Sequence, residues 1–123
     1  MKESILTDKS FNFAIRIVNL YKYLSETKKE TVLSKQLLRS GTAIGALQSE
    51  GSSAESKADF IHKYGIAQKE CNETIYWLRL LQRTEFITQK EFESLENDAV
   101  ESLKIITASI VTAKKSLKNK QNP

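Results

Sequence analysis

The chain has 123 residues, 40% hydrophobic and 28% charged, with a formal net charge of +4 and a pI near 9.2. That length bounds it to a single domain (1–123) with one real core, needing neither disulfides nor metals to fold. The lone cysteine, Cys71, excludes an internal disulfide, no apolar run reaches the roughly 18 residues of a membrane span, and MKESILTDKSF lacks a signal-peptide core, so the expected location is the cytoplasm.

Turn-formers are scarce: the only proline is Pro123 and the only glycines are Gly41, Gly45, Gly51 and Gly65. Few reversals favour a few long helices. The first predicted helix spans about 8–27, with Asp8 as N-cap. Phe11, Ala14, Ile15, Val18 and Tyr21 line one face, and Phe13, Ile17, Leu20 and Leu24 extend it at helical spacing. These positions cover more of the circumference than one core-facing side needs. The excess predicts a second contact surface, such as another subunit.

After a polar break at 26–30 the second helix spans 32–51. Leu33, Leu37, Ile44 and Leu47 mark its apolar side, and Gly41 and Gly45, four apart, share a face where a neighbouring helix can approach closely. Arg39 and Gln48 interrupt the apolar run, so this GxxxG is no membrane signal. The third helix spans 56–83. Ser56 and Asp59 form a capping box with Asp in place of Glu. The stripe Phe60, Tyr64, Ala67, Cys71, Thr74, Leu78, Leu81 alternates steps of four and three, which is the seam of a left-handed bundle. A second row, Ile66, Glu70, Glu73, Trp77, Leu80, flanks it. The fourth helix spans 88–117, opened by a Thr88–Glu91 capping box, with the stripe Phe92, Leu95, Ala99, Leu103, Ile106, Ile110, Ala113, Leu117. Residues 119–123 are expected to fray. Short loops between long helices predict an all-α, antiparallel up-down-up-down four-helix bundle.

The residues for metal or covalent chemistry are missing. A two-metal bundle needs Glu-x-x-His on two helices, whereas this chain has one histidine, His62, read as a surface residue. Cys71 lies in the apolar seam, where it reads as a small core residue rather than a nucleophile. Gly41 and Gly45 lack the Lys and Ser/Thr of a phosphate loop. The expectation is therefore no catalytic residue, no metal, no cofactor and no enzyme activity. Glu50, Glu70 and Glu73 are expected to be structural polar residues, paired with Arg39 or a lysine. The cations Lys22, Lys28, Lys29, Lys35, Arg39, Lys63, Lys69, Arg79 and Arg83 sit on helix faces and near turns. Solvation alone explains such a scatter, but these are also the candidate nucleic-acid contacts. Repetition of a weak basic patch in an oligomer strengthens binding through phosphate neutralisation.

The run Gln36-Leu37-Leu38-Arg39-Ser40-Gly41-Thr42-Ala43-Ile44-Gly45-Ala46, then Ser49-Glu50-Gly51, resembles a known family. So do Ser56-Lys57-Ala58-Asp59-Phe60-Ile61, Ala67-Gln68-Lys69-Glu70 and Glu73-Thr74-Ile75-Tyr76-Trp77-Leu78. The match is to the small bacterial four-helix bundles named after proteins encoded in intervening sequences of 23S rRNA genes. The accessory variability proteins of diversity-generating retroelements are similar. The resemblance implies a homopentamer without known enzymatic activity. For the retroelement branch it implies nucleic-acid binding and a reverse transcriptase partner.

The functional expectation is a non-enzymatic homo-oligomer that binds a macromolecule, with RNA or a ribonucleoprotein as first partner and no membrane. The alternatives are a regulatory protein-binding module and a small enzyme with an inter-subunit site.

Overall fold

The computed structural model describes residues 2–121, and the side chains of residues 4–119. Four helices follow one another: α1 (Lys2–Glu26), α2 (Val32–Ser52), α3 (Lys57–Arg83) and α4 (Gln89–Gln121). There is no strand among the described residues. α1 packs on α2, α2 on α3 and α3 on α4, while α4 meets α1 more thinly. α1 and α3 therefore stand diagonally across the core, as do α2 and α4. This is the expected antiparallel up-down-up-down bundle.

The helix ends explain where the chain turns. Thr31, at the N-cap of α2, makes no side-chain cap bond. Glu30 supplies the cap instead: its carboxylate accepts from the N–H groups of Leu33 and Ser34 at 2.8 Å and of Val32 at 3.2 Å. A carboxylate there also suits the positive end of the helix dipole. Ser56 Oγ accepts from the Asp59 N–H at 3.0 Å, the hydroxyl half of the predicted box. The Thr88–Glu91 box forms both ways, at 3.1 and 2.8 Å. Lys29 (φ 57) and Glu85 (φ 68) take the left-handed conformation that ends α1 and α3. Each is followed by a closing backbone bond, Glu30 N–H to Leu24 O and Phe86 N–H to Leu81 O, both 2.9 Å.

Two predicted ends differ from the structure. Asp8 lies inside α1, which starts at Lys2, so it caps nothing. Its acid is a local start signal, but the apolar Ile5 and Leu6 before it continue the helical pattern, and Leu6 is fully buried. α4 runs past Leu117 to Gln121, so residues 119–121 are helical rather than frayed; residues 122 and 123 lie outside the described part.

The core runs the length of the bundle. α1 contributes Leu6, Phe13, Ile17 and Leu24, which are essentially inaccessible, and the predicted stripes of α3 and α4 line the interior. The Phe11–Ile15–Val18 row of α1 does not join this core. Phe11 is 66% exposed and Ile15 46%. The broad apolar surface read from the sequence is thus two faces, one buried and one presented to solvent.

The seam between α1 and α2 is tight because of glycine. A Cβ on Gly41 would stand 2.9 Å from two carbons of Ile17, and one on Gly45 would stand 3.3 Å from Ser10 Oγ. Beside this seam Gln48 is buried, its amide donating to Thr7 Oγ1 and Ser52 Oγ, each at 3.0 Å. The seam between α1 and α4 is built differently, from ion pairs: Lys9–Glu101 and Arg16–Asp98, both 2.6 Å. Among the described residues, no helix is long and apolar enough to cross a membrane.

Candidate functional site

The candidate polar residues fall into three places. The first is the outer edge of the α2–α3 seam. Arg39, on α2, hydrogen-bonds Glu73 Oε2 through Nη2 and lies 3.7 Å from Glu70 Oε2 through Nη1. Trp77 Nε1 donates to the same Glu73 oxygen at 3.3 Å. These side chains sit together because Glu70, Glu73 and Trp77 recur at helical spacing on the flank of α3 that faces α2. Glu70 is 17% exposed. Its Oε2 is buried without a hydrogen bond, so the guanidinium charge is what offsets its desolvation. One guanidinium thus holds both carboxylates at the edge of the seam. Glu70 and Glu73 both face the guanidinium of Arg39. Glu50 is exposed, and its partner is a lysine, Lys63, at 3.8 Å. The last turn of α2 carries it out of the core.

Cys71 lies beneath this cluster, fully buried. Burial, and secondarily the charge of Glu70, pushes its thiol up to about 12. A thiol that stays protonated at neutral pH is a poor nucleophile and a poor metal ligand. His62 is on the surface, as expected. No group of three or more metal-ligating side chains exists among the described residues.

The second place is the end of the bundle where α1 meets α2 and α3 meets α4. Lys22, Lys28, Lys29, Lys35, Arg79 and Arg83 all belong to this end. Among the described residues none of them forms an ion pair. The α1–α2 and α3–α4 connections face each other across a cavity of about 320 Å³ lined by Tyr23, Lys28, Glu85 and Phe86 among others. The Lys28 ammonium stands 5.8 Å from the centre of the half-exposed Tyr23 ring. Of the other candidate cations, Lys69 is exposed midway along α3, while Arg39 and Lys63 are engaged in the ion pairs above. Sequence reasoning missed Lys90, which the short α3–α4 connection brings to the same end. It also missed Lys9 and Arg16, whose partners on α4 lie too far along the chain for spacing to reveal.

The third place is an open groove of about 730 Å³ at the opposite end, between the α2–α3 turn and the last turns of α4. Lys57 and hydroxyls of Ser52, Ser56, Thr112 and Ser116 line it. Lys57 Nζ already donates to Ser116 Oγ.

The comparisons agree with this architecture. The family model described as 23S rRNA-intervening sequence protein matches residues 2–108. The crystal structure of a protein with unknown function from the S23 ribosomal protein family, from Bacteroides thetaiotaomicron, is similar with a TM-score of 0.88 and 55% identity. The match covers 89% of this chain and 98% of that one. No curated protein matches the chain. A family match over most of the chain, together with that identity and the shared bundle, shows that this chain belongs to the family of 23S rRNA-intervening sequence proteins.

Proposed function

We propose that the chain acts as a non-enzymatic homo-oligomeric module that binds RNA or a ribonucleoprotein. The observation that carries the reading is the solvent-facing apolar row on α1. A contiguous row with Phe11 at 66% and Ile15 at 46% exposure marks an interaction surface. The family resemblance favours five copies. The RNA part rests on the end of the bundle where Lys22, Lys28, Lys29, Lys35, Arg79 and Arg83 stand without ion-pair partners among the described residues. Oligomerisation repeats that basic end, and repeated weak contacts add through effective concentration. A non-catalytic role accords with the protonated Cys71 and with carboxylates tied to Arg39.

Two measurements test this reading. Light scattering after size exclusion is expected to give an oligomer at micromolar concentration; a monomer refutes the assembly. Fluorescence anisotropy with structured RNA at about 50 mM salt is expected to show binding that weakens log-linearly with salt. Lys28→Glu with Lys29→Glu should weaken it for all sequences and flatten the salt slope by about one for each phosphate no longer neutralised. No binding at that salt concentration refutes the RNA part.

A further inference from the structure

We infer that the outer face of α1 docks on the outer face of α3 of a second copy of this chain, in a heterologous contact that closes into a ring with α2 turned inward. This rests on the oligomeric part of the reading above and goes beyond it by naming the two surfaces.

Among the described residues, α1 and α3 each present an apolar row to solvent. On α1, Phe11, Ile15 and Val18 recur at helical spacing opposite the buried Phe13, Ile17 and Leu24. On α3, Tyr76 is 57% exposed beside the half-buried Ile66, Trp77 and Leu80. α1 and α3 are diagonal in the bundle, so these faces look outward on different flanks. Distinct surfaces on two flanks of one chain suit a repeating heterologous contact, which either closes as a ring or runs on as a filament.

Height, lean and charge select this pairing. Ile17 packs against Gly41, and the adjacent Ser40 bonds Thr74 at 2.9 Å, so Ile17 and Thr74 lie at one level of the bundle. α1 and α3 run parallel. Phe11–Val18 and Ile66–Leu80 therefore overlap in height, and copies join without an axial step. Both faces also lean toward α2. Thr7, bonded by Gln48 of α2, shares a heptad row with Ala14 and Tyr21. Trp77 bonds Glu73, which Arg39 of α2 holds. Contacts that lean the same way turn successive copies around α2, which favours closure over a filament.

The charges lie on the edges away from α2. Asp8, Ile15 and Glu26 share one row of α1, and Lys69, Tyr76 and Arg83 share one row of α3. All four charged side chains are exposed, and among the described residues none is in an ion pair. In the docked arrangement carboxylates face cations at both ends of an apolar centre, with Glu26 level with Arg83. Lys22 has no carboxylate opposite; its stem lies along the α3 face and its ammonium reaches solvent. Lys28, Lys29, Lys35 and Arg79 remain available to phosphates.

The test uses two single-cysteine substitutions at exposed sites, Ile15→Cys and Tyr76→Cys, with a short bis-maleimide; buried Cys71, its thiol near 12, is silent. Mixing the two variants is expected to give a cross-linked dimer that neither gives alone. A chain carrying both is expected to give a ladder ending at a discrete size. Self-cross-linking of Ile15→Cys alone overturns the pairing in favour of a symmetric α1–α1 contact. A wild-type oligomer with no mixed product also overturns it, while leaving the oligomeric reading standing. A ladder without an end overturns ring closure, and a monomeric wild type removes both readings. Independently, Glu26→Arg should weaken assembly by about twofold to fivefold per contact, and adding Arg83→Glu should restore it; no change in either variant contradicts the charge pairing.

Discussion

The two seams that α1 makes within the bundle are built on different physics. Against α2 it meets glycine, and the backbones approach until Ile17 fills the space a Cβ on Gly41 would occupy. Against α4 it meets charge, through Lys9–Glu101 and Arg16–Asp98, whose side chains are 40% to 44% exposed. The first seam is close-packed and shape-dependent, so small changes in volume are felt. The second is partly exposed and tolerant, because such ion pairs gain little over solvation. α1 is therefore anchored to the bundle chiefly by α2, and its remaining surface is available for another molecule.

The sharpest way to break this contrast is Gly41→Ala. The new methyl meets both branches of a β-branched, fully buried side chain that has few rotamers to move to. Overpacking costs about 1–3 kcal/mol, against a gain of up to about 1 kcal/mol from helix propensity, so thermal or urea unfolding should show a net loss of up to about 2 kcal/mol. Combining it with Ile17→Ala, which removes both of the γ carbons that the new methyl meets, should recover part of that loss through a coupling between the two sites. Strict additivity would mean that the seam is not limited by volume. Gly65→Ala is the internal control. A Cβ there meets nothing within 4 Å, so the same substitution in α3 should stabilise by about 0.5–1 kcal/mol.

The contrast is half legible in the sequence. Gly41 and Gly45 at i, i+4 announce a close approach, because mid-helix glycine needs a reason. The stripes of α3 and α4 announce their buried faces through unbroken helical spacing. The ion pairs of the other seam are invisible, since Lys9 and Glu101 are joined only by the fold. Gln48 reads as a polar interruption, yet it is buried: nothing local in the chain tells that Thr7 and Ser52 wait to accept its amide. The first helix shows too much apolar surface, but spacing alone does not say which of two apolar rows wins the core. The glycines decide it, by admitting the Phe13–Ile17 side and leaving Phe11 outside. The basic end is partly legible, because loops gather residues near in sequence, whereas the meeting of the two loops across it depends on topology.

On the tolerant seam the effects should be smaller. Arg16→Met removes the pair with Asp98 and the bond to Ser94 Oγ at 3.0 Å. Its long apolar stem is kept, so the loss should stay below about 1 kcal/mol and shrink further in high salt. A loss as large as that of Gly41→Ala would put the two seams on an equal footing, and α2 would no longer be the chief anchor of α1.

The smallest expected effect is also the most diagnostic of charge. The Lys9 hydrogen bond, and then its charge, hold the Glu101 carboxyl below the usual carboxylate range. The same bond, and then the Glu101 charge, raise the Lys9 ammonium above its ordinary value. A lowered carboxyl contributes stability that is present above its unfolded value and is lost as pH falls through the folded one. A raised ammonium contributes stability that is present below its unfolded value and is lost as pH rises through the folded one. The pair should therefore help only in the window between carboxylate and lysine titration. Glu101→Gln should unfold at a slightly lower temperature than the parent at neutral pH, and the two curves should merge once the medium is acid enough to protonate Glu101 in the folded chain. Both side chains are exposed, so the neutral-pH difference should be small and should fade with added salt. A difference that persists in acid would mean that Glu101 acts through packing, and the α1–α4 seam would then resemble its neighbour more than its ion pairs imply.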